Sequence, residues 1–394
     1  MEFSRNMSSE MKKLIHTCIL ILIVTLEGYS QSDSLTTNFD WKGQVSIWSN
    51  YNENSTFPLL IGGRYIPQAN YEVNYPNQSK LDFEASLNLY GNGGFTFKDS
   101  SEFDHDIKPY RFWARYSTHQ FELRVGLQKI NFGSAAMLRP LMWFDQIDPR
   151  DPLQLTDGVY GLLARYYFLN NANIWLWGLY GNTKTKGWET FETTDFQPEF
   201  GGRVQLPIPR GEIALSAHHR KVNTDKLIVP QEFRYNKIKE NRIGFDAKVD
   251  LLIGLWTEVA WVNKATDFGL LTNQEFVNVG TDYTFGIGNG LSVTLEHLLV
   301  ATDEKPFEFK QTTGFSALNV TYPLGLFDDI SAIVYYDWKN NNTYNFINWK
   351  KQFRNLSLYV MGYANPKSYN IPLQEGGQDY FIGTGMQVMV VYNY

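Results

Sequence analysis

Four arginines, Arg111, Arg115, Arg124 and Arg165, fall on the polar phase of three consecutive alternating segments. Four acids, Asp246, Glu258, Asp282 and Glu296, take the same phase of four later ones. Within the connection that splits the arginine group lie three more acids, Asp145, Asp148 and Asp151. A guanidinium is a planar fork of donors that binds carboxylate or phosphate bidentately. If these charges line a wet lumen, with the loop aspartates facing the arginines, they create a transverse field that selects ions and solutes. The same residues, paired with one another, would instead brace the loop and fill the interior, and both readings stay open. Hydrolytic catalysis needs a nucleophile, a base beside it and a group orienting the base. No G-x-S-x-G is present, and His218, His219 and His297 have spacings and phases that give no convergent site. No enzyme activity, metal or cofactor is therefore expected.

The elements that must hold these charges are alternating runs. Leu81, Phe83, Ala85, Leu87 and Leu89 face one way, with Asp82, Glu84, Ser86, Asn88 and Tyr90 opposite. Tyr110, Phe112, Ala114 and Tyr116 oppose Arg111, Trp113 and Arg115, while Phe121, Leu123, Val125 and Leu127 oppose Glu122 and Arg124. The pattern recurs from Trp41 to Trp48, at Tyr160 to Tyr166, and through segments around Phe200, Ile213, Ile243, Leu255, Val277, Leu291, Leu318 and Ile330. The run Ile174 to Tyr180 is apolar on both phases and leaves its orientation open. An Arg or Lys facing lipid at the midplane of a membrane barrel costs about 2–4 kcal/mol, so alternation assigns the charges to the inside. Inward aromatics such as Trp48, Tyr90 and Trp113 read either as a slide for sugars or as packing beneath the loop.

Connections sort by length. Short ones fall at Ser117 to Gln120, Leu169 to Asn171, Pro207 to Arg210, Leu251 to Leu252, Gly288 to Gly290, Pro323 to Phe327 and Gln352 to Asn355. Longer polar ones lie between them, at Lys221 to Lys239, Ala301 to Phe309 and Asn365 to Gln378. Short turns on one side and long loops on the other are the mark of an up-and-down transmembrane barrel. Gln68 to Lys80 is an exception, long where the count requires a short turn. The expected fold is all-β: a single antiparallel up-and-down transmembrane β-barrel of about 18 strands, with 16 as the alternative. Its longest connection, about residues 130–157, folds inward and narrows the lumen, since structureless loops of such length are usually functional. A soluble propeller or sandwich is disfavoured, because no blade-length repeat is visible and the turns sort so regularly.

Composition agrees. In 394 residues, 16% are aromatic and only 19% charged, which suits two aromatic girdles around a polar interior. A net charge of −6 speaks against nucleic-acid binding. Leu14 to Leu26 is apolar but too short to span a bilayer; with Lys12 and Lys13 before it and Gly28 and Ser30 after it, residues 1–30 read as a signal peptide cut before Gln31. Residues 1–10 read as an upstream extension, and 31–394 as the barrel. The sole cysteine, Cys18, lies within the apolar run, so the mature chain has no thiol chemistry.

At the carboxy terminus, Gln387, Val388, Val390, Tyr392 and Tyr394 resemble the terminal-strand signal read by the outer-membrane insertion machinery. With it, the chain resembles the large porin-like barrels of Gram-negative bacteria, in a Bacteroidetes-type style. Val125, Gly126, Gln128 and Gly133, then Leu138, Arg139, Pro140, Asp145, Pro149 and Arg150, resemble the approach to the constriction loop of substrate-selective and alginate-export-type porins, with Leu127 standing where Arg is common. The resemblance implies an outer-membrane channel for passive diffusion of small hydrophilic solutes, anionic ones among them. It also implies contact with outer-membrane lipid and the insertion machinery, and a homotrimer. The alternative is a non-conducting scaffold, or a component of an export, secretion or adhesion assembly.

Overall fold

The computed structural model describes residues 35–96, 101–224, 235–367 and 381–394. The signal-peptide segment and parts of Lys221 to Lys239 and Asn365 to Gln378 lie outside them. The first strands are β1 (Thr36–Asn52), β2 (Leu59–Asn74), β3 (Lys80–Phe95), β4 (Ser101–Ser117), β5 (Phe121–Gln128), β6 (Val159–Tyr167) and β7 (Asn173–Leu179). A two-residue β8 (Glu192–Thr193) precedes β9 (Glu199–Ile208), β10 (Gly211–Asn223), β11 (Ile238–Asp250), β12 (Gly254–Lys264) and β13 (Asn273–Phe285). The rest are β14 (Leu291–Asp303), β15 (Thr312–Pro323), β16 (Asp328–Asp337), β17 (Asn342–Gln352), β18 (Leu356–Ala364) and β19 (Thr384–Asn393).

Each long strand pairs antiparallel with its sequence neighbours, and β8 merely adds a bridge to the end of β10. The ring closes where β1 meets β19, from Gln44 opposite Asn393 to Asn52 opposite Gly385. The result is an 18-strand closed barrel, the larger of the two expected counts. Closure leaves no sheet edge to satisfy in lipid, which is why membrane β-structure takes this form. At the seam Tyr394 exchanges backbone hydrogen bonds with Gly43, both 3.1 Å, and its hydroxyl lies 2.7 Å from that of Tyr65. Any side chain at residue 43 would collide with it, since a Cβ there would stand 2.7 Å from the Tyr394 hydroxyl.

The two faces differ as the alternation demands. Phe112, Leu176 and Leu215 are 68%, 59% and 58% exposed on the outer face, whereas Asp246, Glu258 and Glu296 are 0% exposed inside. The ambiguous run resolves with Leu176 outward and Trp177 and Leu179 buried inward. Tight turns at 75–79, 118–120, 168–172, 209–210, 251–253, 286–290, 324–327 and 353–355 occupy one rim, and the long connections 129–158 and 180–198 leave from the other.

Two expectations are corrected. The Gln68 to Lys80 exception disappears, because β2 runs on through Asn74 and only 75–79 turns. Pro67 sits opposite Gly43 within the ladder and only interrupts the pairing to β3. Tyr110 leaves its assigned phase: Ser86 pairs with Arg111 but Leu87 with Pro109, so Tyr110 has no partner in β3. That bulge lets β4 extend back to Ser101 with Phe103 and Ile107 outward.

Candidate functional site: a loop inside the barrel

The loop leaves the wall after Gln128, and Gly126 distorts the strand just before it. The glycine's φ of 121° is a left-handed conformation, and a Cβ there would come within 2.2 Å of the Phe112 carbonyl oxygen. Beyond it the chain turns inward, because 129–158 carries apolar groups that water would reject. Ile130, Phe132, Met137, Leu138, Leu141, Trp143 and Phe144 are buried in one cluster with wall residues that include Trp177, Phe276, Leu298, Phe315, Tyr344 and Phe346. Phe132 packs at 5.5 Å against Trp143 and 5.7 Å against Trp177. The loop thus reaches from the β7 side to the β17 side of the lumen.

A loop without regular structure must still satisfy its amides. Two of the predicted acids do this. Glu296 accepts from the Ala136, Met137 and Leu138 amides at 2.6, 3.0 and 2.6 Å, and from the Trp256 indole at 3.1 Å. Glu258 accepts from Ala135 at 2.7 Å and Leu141 at 3.2 Å. Between them Asn278 donates to the Leu138 carbonyl at 2.9 Å. Gly133 makes the approach, with φ 101° and its missing Cβ within 2.2 Å of the Glu258 carboxylate. The other two acids do different work. Asp246 pairs with Arg203 on β9, and Asp282 stands opposite Gly254 near the short-turn rim.

The arginines converge as the alternation predicts, but on acids of the wall. Glu122 lies 3.1 Å from Arg124, 3.5 Å from Arg165 and 3.7 Å from Arg115. Arg115 also holds Asp82 at 2.8 Å. Trp113 sits between Arg124 and Arg115, 4.8 and 5.5 Å from its ring centre, and Arg165 covers Trp175 at 3.8 Å. Arg111 donates to the carbonyls of Tyr110 and of Thr156 on the loop. The loop aspartates are not where the sequence reading put them. Asp145 holds Arg139 at 3.1 Å, Asp148 holds Arg150 at 2.8 Å, and Asp151 accepts from the Leu153 and Leu155 amides. Local turns set these contacts, two to six residues apart, and such pairing outcompetes a distant wall.

A closed antiparallel ring with its longest connection folded inside decides the architecture. The fold is that of the outer-membrane porins. OccAB4 of Acinetobacter baumannii superposes with a TM-score of 0.54 at 10% identity, over 92% of this chain and 100% of that one. OccAB2 of the same organism gives 0.53 at 9%, over 91% and 98%. OmpT, an outer membrane protein of Vibrio cholerae in its trimer form, gives 0.50 at 11%, over 91% and 100%. No protein-family model matches the chain, and no curated protein matches it.

Within this porin fold the sequence reading missed a second inward connection, 180–198. Trp188 donates to the Arg139 carbonyl at 2.9 Å and Gln146 to the Thr185 carbonyl at 3.3 Å, so the two connections interlock. A buried charge cluster anchors the second one: Glu189 meets Arg220 at 2.9 Å and Arg242 at 2.7 Å, and Glu240 meets them at 2.7 and 2.8 Å. Arg220 and Glu240 lie on inward phases of β10 and β11, a readable signal, but no spacing points to Glu189. His218 accepts from the Trp177 indole at 3.1 Å and lies 3.2 Å from Glu199, which makes it a packing histidine. His219 faces outward beside Phe200 and Asn241. Among the described residues no group of three His, Cys, Asp or Glu side chains is placed to hold a metal.

Proposed function

We propose that this chain is an outer-membrane channel for passive diffusion of small hydrophilic solutes, with the loop 129–158 as its constriction and a preference for anions. The observation that carries the reading is the attachment of that loop to the inner wall through Glu258, Asn278 and Glu296. A loop so placed narrows whatever passes. Anion preference is supported by the arginines gathered in one sector of the wall, where among the described residues Arg115, Arg124 and Arg165 pair with just two carboxylates, Asp82 and Glu122. The sequence resemblance to alginate-export-type porins of Bacteroidetes-type bacteria points the same way, toward acidic sugars. Gln387, Tyr392 and Tyr394 are the proposed insertion signal, Tyr394 being seated at the seam. Assembly as a homotrimer belongs to the same proposal.

Single-channel recording in planar bilayers tests it. Replacing Arg115 and Arg124 with Gln should shift the reversal potential toward cation selectivity; an unchanged value with intact folding would leave those residues as braces only. A second reading, a barrel closed by its own loop and serving as a scaffold, is favoured by the apolar cluster that crosses the lumen. Absence of conductance from correctly folded protein would select it.

A further inference from the structure

Arg64 on β2 differs from the other arginines of the wall. Its register partners are Ser46 on β1 and Tyr90 on β3, in the sector of wall opposite the acids that hold the loop. Its guanidinium carbon lies 5.2 Å from the ring centre of Tyr90 and 5.7 Å from that of Trp48, and those two rings are themselves stacked at 5.7 Å and 22°. Gly62, two residues earlier on the same face, clears space for the indole, since a Cβ there would stand 2.3 Å from it. Two aromatic faces therefore hold this side chain in place, which fixes its direction without neutralising its charge.

Its polar atoms are left over. Arg115, Arg124, Arg139, Arg150, Arg165, Arg203, Arg220 and Arg242 each have a carboxylate partner. Among the described residues no carboxylate pairs with Arg64, and its Nε has no hydrogen-bond partner. Asp151 of the loop makes no ion pair with it; its two oxygens accept from the Leu153 and Leu155 amides. Leu153 packs against the Trp48 cluster, so the loop tip approaches this sector. Arg111, two strands away, is likewise turned to carbonyls rather than carboxylates. A planar fork, held rigid, unneutralised and partly open to the lumen, is a preorganised receptor for an oxyanion.

We infer that Arg64, supported by Trp48 and Tyr90, is the constriction's anion-binding residue and takes the carboxylate of a small organic acid as it passes the loop tip. This rests on the channel reading above. It adds to the field of the paired arginines of β4 to β6 a direct carboxylate contact on β2.

The experiment compares entry of gluconate and glucose, matched in size, into liposomes carrying the full chain. The wild type should favour gluconate. R64Q should cut gluconate entry about tenfold, the value of one charge-assisted hydrogen-bond pair, and leave glucose unchanged. R64K keeps the charge without the fork: it should retain the anion preference of the ionic current while losing most of the gluconate advantage. If both solutes enter and R64Q alters neither rate, the assignment of Arg64 is wrong while the channel stands. Entry of neither solute into liposomes with folded wild type overturns the channel reading, and this inference with it. Equal loss of both solutes in R64Q would make the residue a structural support and also overturn the assignment.

Discussion

Glu296 accepts from three successive loop amides and one indole while wholly buried, so its removal strands several donors at once. Each stranded donor costs about 1–3 kcal/mol. E296A should therefore unseat the first half of the loop, seen as larger and noisier single-channel current and as new protease cleavage between residues 133 and 142. E296Q, which keeps the shape and one good acceptor, should fall between. Unchanged current and cleavage in E296A would show that apolar packing alone seats the loop. At this scale the sequence showed which side chains face inward, because alternation decides that, and Arg124, Glu258 and Glu296 obey it. It did not show partners. Glu258 and Glu296 read as field-setting charges because the amides they bind belong to a loop 120 to 160 residues away, and backbone donors leave no trace in residue type. Arg64 was passed over for a related reason: the run from Leu59 to Ile66 alternates weakly, and Trp48 and Tyr90, which distinguish it, come from other strands.

The loop itself was legible as an element, at about 130–157, from its length without a strand period, and its inward course was expected because structureless connections of that length are usually functional. Its path was not, since contacts of Asp145, Asp148 and Asp151 are made within the loop. Two consequences belong here. Gly126 holds a backbone conformation closed to other residues, so G126A should lower stability by about 1–3 kcal/mol, read as a shift in the urea midpoint of the folded band on a gel. An unchanged midpoint would mean that β5 accommodates a side chain at this position without loss. Asp151 lies in the loop tip, where burial, helped by the neighbouring Asp148 charge, raises its carboxyl above the ordinary 3.8 despite the Leu153 and Leu155 amides and Arg64. A raised folded-state value means that the neutral form is favoured in the seated loop. Its contribution to seating is complete below 3.8 and is lost as pH rises through the elevated value. Open-channel noise should therefore be lower at acid pH than at neutral pH, and D151N should remove that difference. Noise that falls as pH rises would contradict the sign.

For the whole molecule, the barrel was the most legible feature, because every second residue in each strand must meet lipid and its neighbours must not. The strand count is the larger of the two expected, and the closing pair β1 and β19 is where the terminal Tyr394 sits. Position on the lipid face carries a cost that can be measured. Leu176, outward and 59% exposed, should cost about 2–4 kcal/mol as L176R, whereas the same change at an inward, water-facing site should cost far less. Equal losses would mean that the outer face does not meet lipid. The account turns on whether a wet passage runs beside the seated loop. The most direct measurement is the single-channel conductance of the purified chain in a planar bilayer, beside a variant in which residues 134–152 are replaced by a short Gly-Ser link. Discrete steps in the wild type that grow severalfold in the variant are predicted; silence in both, from protein shown to be folded, would contradict it.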